Sequence, residues 1–289
     1  MRDPTTLKPS GLAIFDDIVE QPLLGYVTKV SQYGVSPCGN KPPERFRQEA
    51  YANVQDNPQN TAAELWGGVL KGRLVAFAVD SEPYTGSLME SKLAYVTQKD
   101  VTNPANTKVR YISDPRNEVN ERIENDHHPQ RIIPRHQNVA RRVLYWKRRY
   151  HTVPILICKR DANAAFKFIP VSIRGVAYMG CRFSGFLIMY IALFFGWRPS
   201  PANWGLIAKF LMQYVAAYRP ASGHRGGPES FISYQYVDDG AFVEPGVGLR
   251  PWLSVSLWEM ALIACLGFKS LHRVKREVEG RAATTPPLW

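Results

Sequence analysis

The chain has 289 residues, 45% hydrophobic and 21% charged, an ordinary globular composition that excludes a mostly disordered protein and a small stapled scaffold. Lys and Arg number 36 against 25 Asp and Glu, a formal charge of +11, so the first partner to expect is a polyanion or an anionic membrane surface. The longest apolar run, SGFLIMYIALFFGW at 184–197, spans about 14 residues, too few for a helix that must cover about 20 to span a bilayer.

From the N-terminus, residues 1–60 are polar and interrupted by Pro9, Pro22, Pro37, Pro42, Pro43 and Pro58, which predicts an irregular stretch, with Asp16-Asp17 as a helix-start cap. Residues 61–70 read as helix. LVAFAV at 74–79, 92–97 and 108–113 read as short strands, the last two joined through a turn at 101–106 into a hairpin. In RIIPRHQNVARRVLYWKRRY at 131–150, Val139, Val143, Leu144 and Trp146 recur near helical spacing amid basic residues. A buried strand follows at 153–158, stopping at Lys159-Arg160-Asp161, and then a short helical turn at 162–169 closed by Pro170. The long apolar run reads as a strand pair on either side of Ser184-Gly185. A helix at 203–218, a loop at 221–230, a strand-turn-strand over FISYQYV, Asp238-Asp239-Gly240 and AFVE, a helix at 252–266 and a basic tail at 269–281 complete the chain. Helices mixed with hairpins indicate α+β rather than a wound parallel sheet.

Cys38, Cys158, Cys181 and Cys265 form no C-x-x-C pair, which points to a reducing compartment and away from structural zinc. No apolar leader opens the chain. The expected location is therefore cytoplasmic or nuclear, with no membrane partner. His127-His128 beside Asp126 read as a polar loop, Cys158 as a small buried residue, and Trp252, Trp258 and Phe231 as core.

Carboxylates stand at the ends of two apolar strands: Asp161 after VPILICKR, and Asp238-Asp239 at a hairpin tip. Strand ends hold side chains rigidly, and two adjacent strands bring carboxylates close enough to share hard divalent cations, the arrangement that in-line phosphoryl transfer uses.

Four further features make a resemblance. Tyr234-Gln235-Tyr236-Val237-Asp238-Asp239 resembles the YxDD hairpin of reverse transcriptases; KVRYISDPRNEVN at 108–120 resembles that family's fingers motif; DANAAF at 161–166 with Ile169-Pro170-Val171 resembles its first metal motif; and FGWRPSP at 195–201 resembles its template and nucleotide motif. The tail LGFKSLHRVKREVEG at 266–280 resembles the late palm loop that carries a lysine. The motifs occur in the family's order, and order is what separates them from single chance matches.

The resemblance implies a right-hand polymerase with an antiparallel palm sheet backed by helices: fingers-like at 1–124, palm at 125–168, a fingers-like return at 169–199 and palm at 200–289, with thumb and ribonuclease H regions absent from this chain. It implies Asp161 and Asp238 as principal metal ligands, Asp239 as the third carboxylate and the backbone carbonyl of Ala162 as a further oxygen ligand, for two Mg²⁺ ions that Mn²⁺ can replace. Arg110 would bind the triphosphate, helped by Lys108 or Lys99. Phe166, five positions after Asp161, would fill the volume of a ribose 2′-hydroxyl and favour dNTP. Gly196, Ser200 and Pro201 would line the template and nucleotide floor, and Lys269 or Lys275 would protonate leaving pyrophosphate.

Phe195 stands where retroviral members carry Gln, and so resembles the polymerases of cellular retrotransposons; one extra residue separates Arg116 from Asn120. The implied activity is RNA-directed DNA synthesis, a nucleotidyltransferase reaction on an RNA or DNA template with a primer. Its rivals are a truncated or domesticated nucleic-acid-binding domain without turnover and an RNA-dependent RNA polymerase, against which Phe166 argues.

Overall fold

The computed structural model describes residues 18–38, 43–79, 87–99, 107–116, 118–124, 128–129, 133–218 and 229–279. The expected cap at Asp16-Asp17, the turn at 101–106, His127 and most of the loop at 221–230 lie outside them. In chain order the elements are α1 (Gln21–Tyr33), α2 (Ala52–Gln55), α3 (Pro58–Leu70), β1 (Leu74–Ala78), β2 (Lys92–Lys99), β3 (Thr107–Asp114), α4 (His136–Arg149), β4 (Ile155–Ala162), α5 (Ile173–Val176), β5 (Gly180–Phe183), β6 (Phe186–Tyr190), α6 (Ser200–Ala217), β7 (Ser233–Tyr236), β8 (Asp239–Pro245), α7 (Arg250–Leu266) and β9 (Leu271–Glu279).

Helix α1 lies in the stretch expected to be irregular. Pro22 does not break it, because a proline in the first turn lacks only an N–H that has no intrahelical partner there. Leu23, Leu24, Val27 and Val30 are all buried, an apolar stripe at helical spacing that supplies the driving force. Gly34 ends the helix with φ of 77°, its N–H bonded to the Val30 carbonyl at 2.9 Å, the left-handed closure that glycine adopts without strain. α3 likewise begins at a proline, Pro58, three residues earlier than the sequence pattern suggests.

The described chain forms two compact units. One comprises Lys29–Pro129 and Phe166–Asn203. It contains a three-stranded antiparallel sheet in the order β1-β6-β5 and the separate hairpin β2-β3. Leu65 of α3 packs with Leu74, Ile188, Cys181, Leu93 and Val54 to form its core. The β5-β6 turn is Ser184-Gly185, both at positive φ (46° and 77°), the two-residue geometry whose twist matches that of the strands it joins.

The other unit comprises residues 18–28, 130–165 and 204–279. Its sheet has the order β7-β8-β4-β9, antiparallel throughout. α7 seats Trp258, fully buried, edge-on to Phe242 and over Gly240. α4 is anchored by Trp146, whose indole N–H donates to the Val243 carbonyl at 2.9 Å. Two expectations are corrected in this sheet. β4 does not stop before Asp161 but runs through it to Ala162. The expected basic tail is strand β9, paired with β4 from Ile157 opposite Glu279 to Ala162 opposite Leu271, because the second edge of β4 needs backbone partners and pairing does not depend on side-chain polarity.

Candidate active site

In the β4-β8 ladder Asp161 stands directly opposite Asp239, and directly opposite residues of an antiparallel pair share a face. Lys159, two positions before Asp161, shares it too. Between Tyr236 and Asp239, which pair across β7 and β8, the turn consists of Val237 and Asp238. The hairpin tip is therefore Val237-Asp238, and Asp239, expected at the tip, is the first residue of β8.

Val237 has φ of 54°, a conformation that a β-branched residue adopts only when its surroundings over-determine it. Three contacts do so. The Val237 carbonyl accepts from Gln235 Nε2 at 3.0 Å and from the indole N–H of Trp204, and Gln235 Oε1 accepts from Trp258 Nε1 at 3.0 Å. The next carbonyl, of Asp238, accepts from the Ala162 N–H at 2.7 Å. The turn is thus tied by its main chain to Ala162, the residue that follows Asp161.

Asp161 is 6% exposed. Asp239 Oδ2 lies 3.0 Å from Lys159 Nζ, while Arg160, on the opposite face, pairs with Glu259 of α7. Asn163 reaches the chain beyond α7: its N–H donates to the Ser270 carbonyl at 2.6 Å and its Nδ2 to the Lys269 carbonyl at 3.0 Å. Lys269 is therefore held by its main chain beside the strand that carries Asp161. Lys275 belongs to β9, with only its backbone described.

The Asp161 and Asp238 carboxylates and the Ala162 carbonyl are hard oxygen donors at one strand end, a set that fits Mg²⁺ or Mn²⁺ and not zinc. Among the described residues no three His, Cys, Asp or Glu side chains gather as a metal-holding group. Asp239 turns instead to Lys159.

The other expected residues lie in the first unit. Arg110 is exposed on β3, opposite Val96. Lys108 and Lys99 stand opposite Gln98 and Thr107, again with only their backbone described. Arg116 clasps Asp114 through Nε and Nη2 at 2.8 and 2.7 Å, and Tyr51 adds its hydroxyl at 2.9 Å; the guanidinium holds the Asp114 carboxyl down at about 2. Both arginines of the motif are exposed, but the second is committed to its own aspartate. Phe166, 3% exposed, meets Phe195 edge-on at 4.7 Å, and Phe195 is 47% exposed.

Asn120 fixes the FGWRPSP segment from both sides: Nδ2 donates to the Gly196 carbonyl and Oδ1 accepts from the Arg198 N–H, each at 2.9 Å. Gly196 is exposed and Pro201 half-buried. Ser200 is wholly buried, and its hydroxyl donates to the Phe194 carbonyl at 2.8 Å, so it shapes the segment from beneath rather than lining an open floor. His128 packs against Trp197 and contacts the Pro37 carbonyl at 3.0 Å, in keeping with a polar loop.

Sequence reasoning passed over Lys159, Asn163, Trp204 and Gln235. Only Lys159 carried a signal, the alternation that puts it on the face of Asp161; Asn163 and Trp204 act through bonds to distant main-chain carbonyls, and Gln235 by joining Trp258 to the carbonyl of Val237, none of which a local pattern announces.

No family model matches the chain, and no curated protein does. Among solved structures it is similar to the prototype foamy virus protease-reverse transcriptase: to the selenomethionine-labelled CSH mutant with a TM-score of 0.51 and 16% identity over 78% of this chain, and to the native protein with a TM-score of 0.48 and 16% identity over 81%. The chain spans about a quarter of the length of those proteins, 25% in each case. At this identity the likeness to the first is one of fold: part of a reverse-transcriptase-like architecture.

Proposed function

We propose that the chain is the fingers and palm of a retrotransposon reverse transcriptase, extending a primer on an RNA or DNA template with dNTP. The unit containing the β7-β8-β4-β9 sheet is the palm on this reading, and the unit containing the β2-β3 hairpin the fingers. One observation carries it: the N–H that follows Asp161 is bonded to the Asp238 carbonyl at 2.7 Å, which ties the turn of the YVDD motif to the strand end of the DANAAF motif and supports a shared role for their two carboxylates.

Asp161, Asp238 and the Ala162 carbonyl would hold divalent cations, whose chemistry at such a site is to lower the pKa of a bound hydroxyl and neutralise phosphate charge. The chain's own residues do the positioning. Trp204 and Gln235 hold the Val237-Asp238 turn in place. Arg110 offers an exposed guanidinium to a triphosphate. Asn120 holds Gly196 and Arg198 for a template base, and the Phe166 ring, braced by Phe195, closes the space beside a sugar. Asn163 keeps Lys269 near the strand end, where an ammonium would donate a proton to leaving pyrophosphate.

The test is primer extension on poly(rA)/oligo(dT) with Mg²⁺. Asp161→Asn and Asp238→Asn are each expected to lower the rate by at least about a hundredfold, the loss of several kcal/mol of charge stabilisation, with primer-template affinity unchanged. Extension that survives either substitution overturns the catalytic assignment. A wild-type chain that binds primer-template tightly without extending it supports the second reading, a nucleic-acid-binding domain without turnover, which the net charge of +11 favours.

A further inference from the structure

We infer that Lys159 is a positioning residue: it compensates Asp239 and so leaves Asp161 and Asp238 as the two carboxylates presented to divalent cations. The inference rests on the proposed reading of the site and adds a residue to it.

Three observations carry it. Register puts Asp161, Asp239 and Lys159 on one face of the sheet, with Asp239 diagonal to Lys159 across the β4-β8 ladder, within reach of a long side chain. The ammonium lies 3.0 Å from Asp239 Oδ2. And Asp161, Asp238 and Asp239 all stand at one end of the sheet, where like charges repel one another. A positive charge built into β4 relieves that repulsion before any cation arrives and orients Asp239 along the strand. The two side chains are 47% and 33% exposed, so the pair adds little to stability; its consequence falls on the charge and the ligand count of the neighbouring site.

The experiment is a double-mutant cycle on the full chain, reading apparent Mg²⁺ affinity from the rise of the unfolding temperature across a Mg²⁺ titration. Lys159→Met removes a positive charge and releases Asp239, and is expected to tighten Mg²⁺ by about 3- to 10-fold, while Asp239→Asn weakens it by about as much. The double variant, with the net charge of the wild type, returns to within about twofold of it, and Lys159→Arg, which keeps the pair, stays with the wild type. A double variant as weak as Asp239→Asn makes Asp239 itself a ligand and overturns the inference. So does a Lys159→Met protein, folded by circular dichroism, that binds Mg²⁺ as the wild type does. Those outcomes leave the metal reading standing if Asp161→Asn abolishes the wild-type response; a wild type with no Mg²⁺ response overturns the reading and the inference together.

Discussion

Two residues at positive φ show opposite solutions to one backbone problem. Gly196 has φ of 103°, and a Cβ built there would lie 2.8 Å from the Ser113 carbonyl oxygen and 3.0 Å from Pro115 Cδ. Both the torsion and the space call for glycine. Gly196→Ala should therefore destabilise the protein by about 2–4 kcal/mol in a denaturant titration, as strain and a backbone clash combine, and should disturb the Asn120 bond to the Gly196 carbonyl. Val237 at 54° carries a branched side chain instead, its torsion held by the bonds from Trp204 and Gln235. The first residue yields to the steric rule; at the second the neighbours outweigh it, next to the carboxylate on which the proposed chemistry depends.

At the scale of elements, the end of β8 remote from the turn is closed by charge buried among rings. Arg142 of α4 and Arg250 of α7 lie over the Trp146 ring, 4.3 and 4.9 Å from its centroid, and Arg250 also covers Phe231 at 4.8 Å. Glu244 of β8, fully buried, accepts from Arg250 Nε at 2.5 Å, with Arg142 at 3.8 Å. Burial outweighs the two guanidinium groups and pushes the Glu244 carboxyl up from 4.5 to about 7. A carboxyl whose folded value is raised contributes stability that is fully present below its unfolded value, near 4.5, and is lost as pH rises through about 7. The wild type should thus lose on the order of 2 kcal/mol between pH 4.5 and 7.5 from this group. Glu244→Gln, although less stable overall because Arg250 loses its partner, should lack that slope. Denaturant midpoints measured across the range for both proteins decide it; parallel curves would show Glu244 ionised throughout.

For the molecule as a whole, the formal +11 is the property most directly tied to a polyanionic partner. Arg141 and Arg148 are exposed one above the other along α4. Primer-template affinity should therefore fall steeply with salt, with a log-log slope of about −4 or steeper, as counterions are released from several phosphates. Arg141→Gln and Arg148→Gln should each flatten the slope by about one where they touch phosphate, whereas Asp238→Asn should leave it unchanged. Filter binding across a salt series gives the slope, and a flat titration would remove the electrostatic basis of both the polymerase and the binding-domain readings. Among the described residues no helix is long and apolar enough to cross a membrane.

Much of the secondary structure was legible in the sequence because it is local. Alternation around Ser184-Gly185 and around Asp238-Asp239-Gly240 announced the two tight hairpins, and apolar spacing announced α3, α4, α6 and α7, to within a few residues at each end. α1 was hidden by Pro22, whose effect depends on whether it falls in the first turn or the middle of a helix. β9 was hidden by its charges, since an edge strand is recruited by unpaired backbone groups and not by its side chains. At the candidate site, the carboxylates and their strand-end setting could be seen in the chain. That Asp239 sits one residue past the tip, opposite Asp161 and against Lys159, could not. Composition and periodicity report what each segment prefers for itself, but which residues stand opposite one another is a matter of register between strands about eighty residues apart, and register is set only when the sheet has formed.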